Sequence, residues 1–192
     1  MARTVGIKEE TPQRLIYGAG AVIRNYDGTR SLAAQAGNFM GATKGGSELT
    51  IVQELVYPEI DGALGKIKGT ARLKRDTAKA KITFVDIDLD TILDALPGAE
   101  AVDNGNGTVT ITRSRHPEAA DHNTNIAVIT DHAAADGSVG FVIDNPLATG
   151  DLSVKLSDEF AELAIEWEAH YDAATPDVRP WTLIYPSDST VS

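Results

Sequence analysis

The sequence predicts a mainly β fold, an antiparallel β-sandwich or barrel of two packed sheets with one flanking α-helix. Three features support this. Short segments in which apolar and polar residues alternate recur along the chain, separated by Gly, Pro, Asn or Asp. Only one segment has helical spacing, so the helical crossovers of a doubly wound parallel sheet are missing. The chain has 192 residues and no cysteine, which is long enough to bury about two thirds of its unfolded surface without a disulfide or thiolate metal site. One domain over 1–192 is expected.

In chain order, residues 1–14 carry Lys8, Glu9, Glu10, Thr11 and Pro12 with little apolar content and read as an N-terminal arm. A first strand is expected over Gly20 to Tyr26, turned by Asp27-Gly28-Thr29. A long loop then spans 28–48, with Ser31 to Gly46 rich in Ala and Gly and Phe39 and Met40 as isolated apolar residues. An apolar pair in such a loop needs a surface, either the chain's own sandwich or a neighbouring subunit.

The next strand places Leu49, Ile51, Leu55 and Tyr57 on one face, interrupted only by Gln53, and Thr50, Val52, Glu54 and Val56 on the other. Asp61-Gly62 turns the chain. Beyond it Ile67, Gly69, Ala71 and Leu73 alternate with Lys66, Lys68, Thr70, Arg72 and Lys74, which makes one face almost wholly basic. That stripe is either a solvated face or a contact surface. Lys79 to Asp86 gives a further strand with Ala80, Ile82 and Phe84 inward. The helix follows, capped by Asp88 or Asp90, with Leu89, Ile92, Leu93 and Leu96 at helical spacing and Pro97-Gly98 at its end.

Asn104-Gly105-Asn106-Gly107 is a turn. Strands are expected at Thr108 to Arg115, Asn125 to Asp131, Ser138 to Asp144 and Leu152 to Leu156. Leu163 to Tyr171 alternates Leu163, Ile165, Trp167, Ala169 and Tyr171 with Ala164, Glu166, Glu168 and His170, so its polar face is acidic. Asp172 to Pro180 is a loop, Trp181 to Tyr185 a last strand and 186–192 a C-terminal tail.

Motifs of known chemistry fail on their details. Gly41-Ala42-Thr43-Lys44-Gly45-Gly46 is glycine-rich with one cation, but Lys44 precedes the glycine pair and a strand follows, whereas a P-loop ends in Gly-Lys-Ser/Thr and opens a helix. Asp86, Asp88, Asp90 and Asp94 lack the central glycine and closing glutamate of an EF-hand. His116, His122 and His132 lie in or beside loops, without the close ligand pairs of a zinc site. No G-x-S-x-G elbow occurs, and Glu166 with Glu168 reads as a solvated or interface stripe. No catalytic, cofactor or metal residue is assigned, and no enzyme is expected.

Net charge is −11, which argues against tight nucleic-acid binding. Its distribution is uneven: residues 1–85 hold 13 Lys and Arg against 8 Asp and Glu, and the remainder holds 4 against 20. Opposite halves suit either attraction within one chain or copies that meet head to tail. Apolar runs are too short to cross a bilayer, and the N-terminus carries no apolar signal segment. The chain is therefore expected to stay in the cytosol where it is made.

The ordered combination of G-A-T-K-G-G, a strand with acidic residues, D-G-A-L-G-K-I-K-G and a strand leading to an acidic helix resembles the major tail tube proteins of long-tailed bacteriophages. The likeness spans Gly41 to about Gly98, with weaker likeness at Gly18-Ala19-Gly20-Ala21-Val22 and at Trp181 to Pro186. It implies a virion structural protein whose sandwich assembles into stacked hexameric rings around a channel for DNA, with no enzyme activity and no cofactor. The implied partners are further copies of itself and other tail proteins such as the tape measure, tail terminator and distal tail proteins. DNA would pass without specific binding, and no membrane is involved. On this reading Phe39, Met40, Gly41, Lys44, Gly45, Gly46, Asp61, Gly62, Lys66, Lys68, Arg72 and Lys74 are candidates for contacts between subunits. Glu162, Glu166 and Glu168 are candidates for the channel wall. A monomeric β-sandwich binding module, for carbohydrate for example, is the alternative, although aromatics are only 6% of residues and most fall on expected core faces.

Overall fold

The computed structural model describes residues 20–113, 115–132, 137–155 and 161–185; the side chains of 131, 132, 137, 138 and 155 lie outside it. The expected N-terminal arm, the C-terminal tail and Leu156 are likewise outside the described residues. Two antiparallel sheets form the body. In the first, β1 (Ala21–Arg24), β6 (Asn125–His132), β7 (Gly137–Asp144) and β11 (Trp181–Ile184) lie side by side in that order. In the second, β2 (Thr43–Val56), β3 (Arg72–Phe84) and β10 (Glu162–Glu168) are neighbours. Beyond β10 lie the short β8 (Leu147–Ala148) and β9 (Ser153–Lys155).

Period-2 alternation explains the core. Val22, Ile126, Val128, Phe141 and Ile143 of the first sheet meet Ala78, Ala80, Ile82, Phe84, Leu163, Ile165 and Trp167 of the second, all buried in one cluster. Phe84 and Trp167 touch edge to face, with ring centroids 6.1 Å apart. The opposite face of the first sheet buries Ile23, Ala127 and Ile129 against Leu32, Tyr26 and Ile184. Alternating apolar and polar positions thus became a sandwich, and β6 is apolar on both faces.

The flanking helix α1 (Leu89–Asp94) is capped by Asp88, whose side chain accepts from the Thr91 amide at 2.7 Å. Thr91, not Leu89, is its buried contact: Leu89 is exposed, whereas the Thr91 hydroxyl donates to the Met40 carbonyl at 3.2 Å. Asp94 pairs with Arg24 of β1; burial nonetheless raises its pKa, with Arg24 opposing the shift. After α1, β4 (Ala99–Asp103) and β5 (Val109–Arg113) form a separate, largely exposed hairpin. The sequence reading missed β4, because Ala-Glu-Ala-Val-Asp has no apolar alternation to report.

The expected loop over 28–48 needs correction. Leu32–Asn38 is a 3₁₀ turn capped by Ser31 and fixed by buried Gln35, which accepts from the Asp27 amide and donates to the Asp27 and Arg30 carbonyls. The strand begins at Thr43, inside the stretch read as loop. The Gly45-Gly46 pair hid it: both residues have positive φ and form a bulge, so Lys44, Gly45 and Gly46 together oppose Thr83 alone.

Candidate assembly surface

The second sheet has an arm. β10 pairs with β3 only over Lys79–Phe84, so the earlier residues of β3 have β2 as their sheet partner among the described residues. Residues 53–56 and 72–75 are all exposed, and so is nearly all of the connecting segment 57–71. Leu55 lies directly opposite Leu73, and both are exposed. Val56, Ile60 and Ile67 are also exposed, and Leu64 is fully so, at 108%.

Local chemistry explains the shape of the tip. Asp61-Gly62 makes a turn, with Gly62 at φ +83° and the Ala63 amide donating to the Ile60 carbonyl at 3.0 Å. A second turn follows at Gly69, φ +89°, where the Thr70 hydroxyl donates to the Ile67 carbonyl at 2.8 Å. Lys66 lies over the Tyr57 ring, 4.5 Å from its centroid. The basic stripe therefore does not lie on one strand face, as the alternation predicted. Lys66 and Lys68 sit in the connecting segment, while Arg72 and Lys74 are on β3. Lys74 is the extra residue of a bulge and pairs with Glu54 at 2.7 Å.

That bulge also explains why the sequence reads as two strands. It shifts the alternation by one residue, from Leu73 to Ala78, Ala80 and Ile82. Of the two strands expected over 66–74 and 79–86, the first holds only from Arg72; together they are one continuous strand, Arg72–Phe84, that leaves the sandwich as half of the arm.

The other candidate residues fall in three places. Met40 is buried in the chain's own core at 3%, so the expectation that it serves a contact between subunits is corrected; its amide donates to the Val22 carbonyl at 3.0 Å. Phe39 bridges Ile23 and remains 42% exposed. Gly41 has φ +122°, and a Cβ there would lie 2.7 Å from the Asp86 carbonyl oxygen, which gives this glycine a structural reason. Glu162, Glu166 and Glu168 lie along β10 beside cations of the same sheet. Glu162 binds Lys44 at 2.6 Å, Glu166 binds Lys79 at 3.0 Å, and Glu168 is 3.6 Å from both Lys79 and Arg75. The hydrogen bond that Lys79 donates to Glu166 raises the Lys79 pKa.

A feature the sequence did not signal lies at the root of the arm. Asp76 of β3 is 3% exposed and accepts from Trp181 Nε1 at 3.0 Å, while Arg179 Nε lies 2.6 Å from its other oxygen. The Tyr171 hydroxyl donates to the Asp76 carbonyl at 2.6 Å. Beside this network a cleft of about 670 Å³ opens between β3, the end of β10 and the loop that follows it.

No protein-family model matches the chain, and no curated protein does. Among the described residues no group of three or more His, Asp or Glu is arranged to hold a metal ion. His122 instead meets His170 edge to face, with centroids 4.9 Å apart, and each Nδ1 lies 2.9 Å from a backbone carbonyl oxygen. No helix among the described residues is long and apolar enough to cross a membrane.

Proposed function

We propose that this chain is the structural subunit of a bacteriophage tail tube, self-assembling into stacked hexameric rings that conduct DNA. The observation that carries this reading is the arm. A two-stranded hairpin is marginal in water by itself, yet this one leaves Leu55, Ile60, Leu64 and Leu73 in solvent. Such surface is characteristic of an interface. The rest of the reading, namely the virion location, synthesis in the host cytoplasm, the tail-protein partners and the absence of a catalytic role, rests on the resemblance in residues 41–98.

A DNA conduit must not hold its cargo. Each free lysine on the wall would add a phosphate contact with its counterion release. The Glu162, Glu166 and Glu168 face suits a wall because its carboxylates already engage Lys44, Lys79 and Arg75. The bore is therefore expected to be neutral or negative, and a tube map with a net positive bore would contradict this.

The test is to replace residues 57–71 by Asn-Gly. Val56 and Arg72 are directly paired, so a two-residue turn can close the shortened hairpin. The expected result is a folded chain that no longer forms large particles in light scattering. Undiminished assembly by the shortened chain would refute the role of the arm.

A further inference from the structure

We propose that Asn106 is a self-modification site: in the folded chain it loses ammonia to attack by the Gly107 backbone nitrogen and becomes aspartate or isoaspartate, while nearby Asn104 is protected. Asn-Gly occurs at 104–105 and again at 106–107, both in the exposed turn between β4 and β5. Glycine favours this reaction because, without a Cβ, nothing hinders its nitrogen as it approaches the preceding side-chain carbon. The residue that follows is the same in both pairs, so a difference between them is the work of the fold.

Water is the only co-reactant. The Gly107 amide gives its proton to hydroxide, and its nitrogen bonds to Cγ of Asn106. The Cγ–Nδ2 bond breaks, and Nδ2 leaves as ammonia with a proton taken from water, which restores the hydroxide. Water then opens the cyclic imide at either carbonyl. One opening gives aspartate; the other gives isoaspartate, in which the main chain runs through the side-chain carboxyl and is longer by a methylene. Either product adds a negative charge to the hairpin turn.

At Asn104 both reacting groups are held. Its Nδ2, the leaving group, donates to the Thr108 and Thr110 hydroxyls at 3.0 and 2.9 Å, and the Gly105 amide, the nucleophile, donates to an Asp103 carboxylate oxygen at 2.8 Å. Stripping that amide proton would leave an anion facing a carboxylate, which raises the barrier. Asn106 is arranged the other way. Its Oδ1 accepts from the Thr108 amide and hydroxyl at 3.1 and 2.6 Å, so two donors already face the oxygen on which negative charge develops during the attack. Neither Nδ2 of Asn106 nor the Gly107 amide has a hydrogen-bond partner among the described residues, and a Cβ added at Gly107 would meet no atom within 4 Å. The Gly107 nitrogen is thus open to hydroxide, and the Asn106 leaving group is free to depart. Once aspartate has formed, the same Thr108 donors hold its carboxylate through stronger, charge-assisted hydrogen bonds.

The test incubates the full chain in mildly alkaline buffer, either folded or in concentrated urea, and follows both asparagines by peptide mass mapping, with isoaspartate separated from aspartate by chromatography. In the folded chain Asn106 should deamidate at least about tenfold faster than Asn104. In urea, where the hydrogen bonds are gone, the two rates should converge. Asp103→Asn keeps the acceptor for the Gly105 amide but removes its charge, so it should speed Asn104 severalfold in the folded chain and leave Asn106 unchanged. Equal rates in the folded chain, a faster reaction at Asn104, or an Asn106 that stays intact in the folded chain while the urea sample reacts would each overturn the proposal. An Asn104 that stays as slow in Asp103→Asn would overturn the electrostatic account of its protection.

Discussion

Phe39 and Met40 are adjacent in sequence and differ in burial, 42% against 3% exposed. Truncating Met40 to Ala should cost about 2–5 kcal/mol by leaving a cavity, whereas Phe39→Ala should cost clearly less; urea denaturation of the two variants measures the difference. Gly140 is a stronger constraint. A Cβ at this position would lie 2.0 Å from the Val128 carbonyl oxygen, so Gly140→Ala should destabilise by about 1–3 kcal/mol or misregister β7, read by the same denaturation. Nothing in the sequence marks Gly140 apart from the other glycines, because the constraint is the backbone of the paired strand β6 pressed against it. At Asp121 the bidentate hydrogen bonds from Arg115, at 2.6 and 2.7 Å, lower the carboxyl pKa to about 2 from 3.8. The folded pKa lies below the unfolded one, so the stabilisation is complete above pH 3.8 and is lost as the pH falls towards 2. Carboxyl NMR titration should show this low midpoint and its return upwards in Arg115→Ala. Asp94 and Asp144 shift the opposite way through burial, and their contribution fades as pH rises through the raised values.

The elements most legible in the sequence were those with one wet face and one buried face. In β10, Leu163, Ile165 and Trp167 alternate with acids and are all buried, and the capped helix at Asp88 followed from local chemistry alone. Legibility failed where the period broke. The bulges at Gly45-Gly46 and at Lys74 disguised the first residues of β2 as loop and β3 as two strands, and β4 and β8 pair through backbone groups that leave no side-chain pattern. The arm belongs to this second class, since the exposure of its Leu and Ile residues cannot be told from sequence. Hydrogen exchange can separate its behaviour from that of the body. In the unassembled chain amides over 53–75 should exchange fast while those over 78–84, between β2 and β10, stay protected; after assembly the arm should become protected too. An arm equally protected before and after would mean that it makes no contact with other copies.

For the whole molecule, the charge asymmetry of the sequence resolves partly into contacts within one chain: early cations at Arg24, Lys44, Arg75 and Lys79 meet later acids at Asp94, Glu162, Glu166 and Glu168. Lys66, Lys68 and Arg72, all on the arm, form no ion pair among the described residues. Charge left on the arm should make the proposed assembly sensitive to salt: raising the ionic strength from 0.05 to 0.5 M, which shortens the screening length roughly threefold, should weaken it in light scattering. The central claim is that the sandwich is a body and the arm its means of joining others. Electron microscopy of the concentrated chain, alone and co-expressed with tail-initiation proteins, tests this most directly. The account predicts rings or hollow tubes for the full chain and none when residues 57–71 are replaced by Asn-Gly; isolated particles in both preparations of the full chain would contradict it.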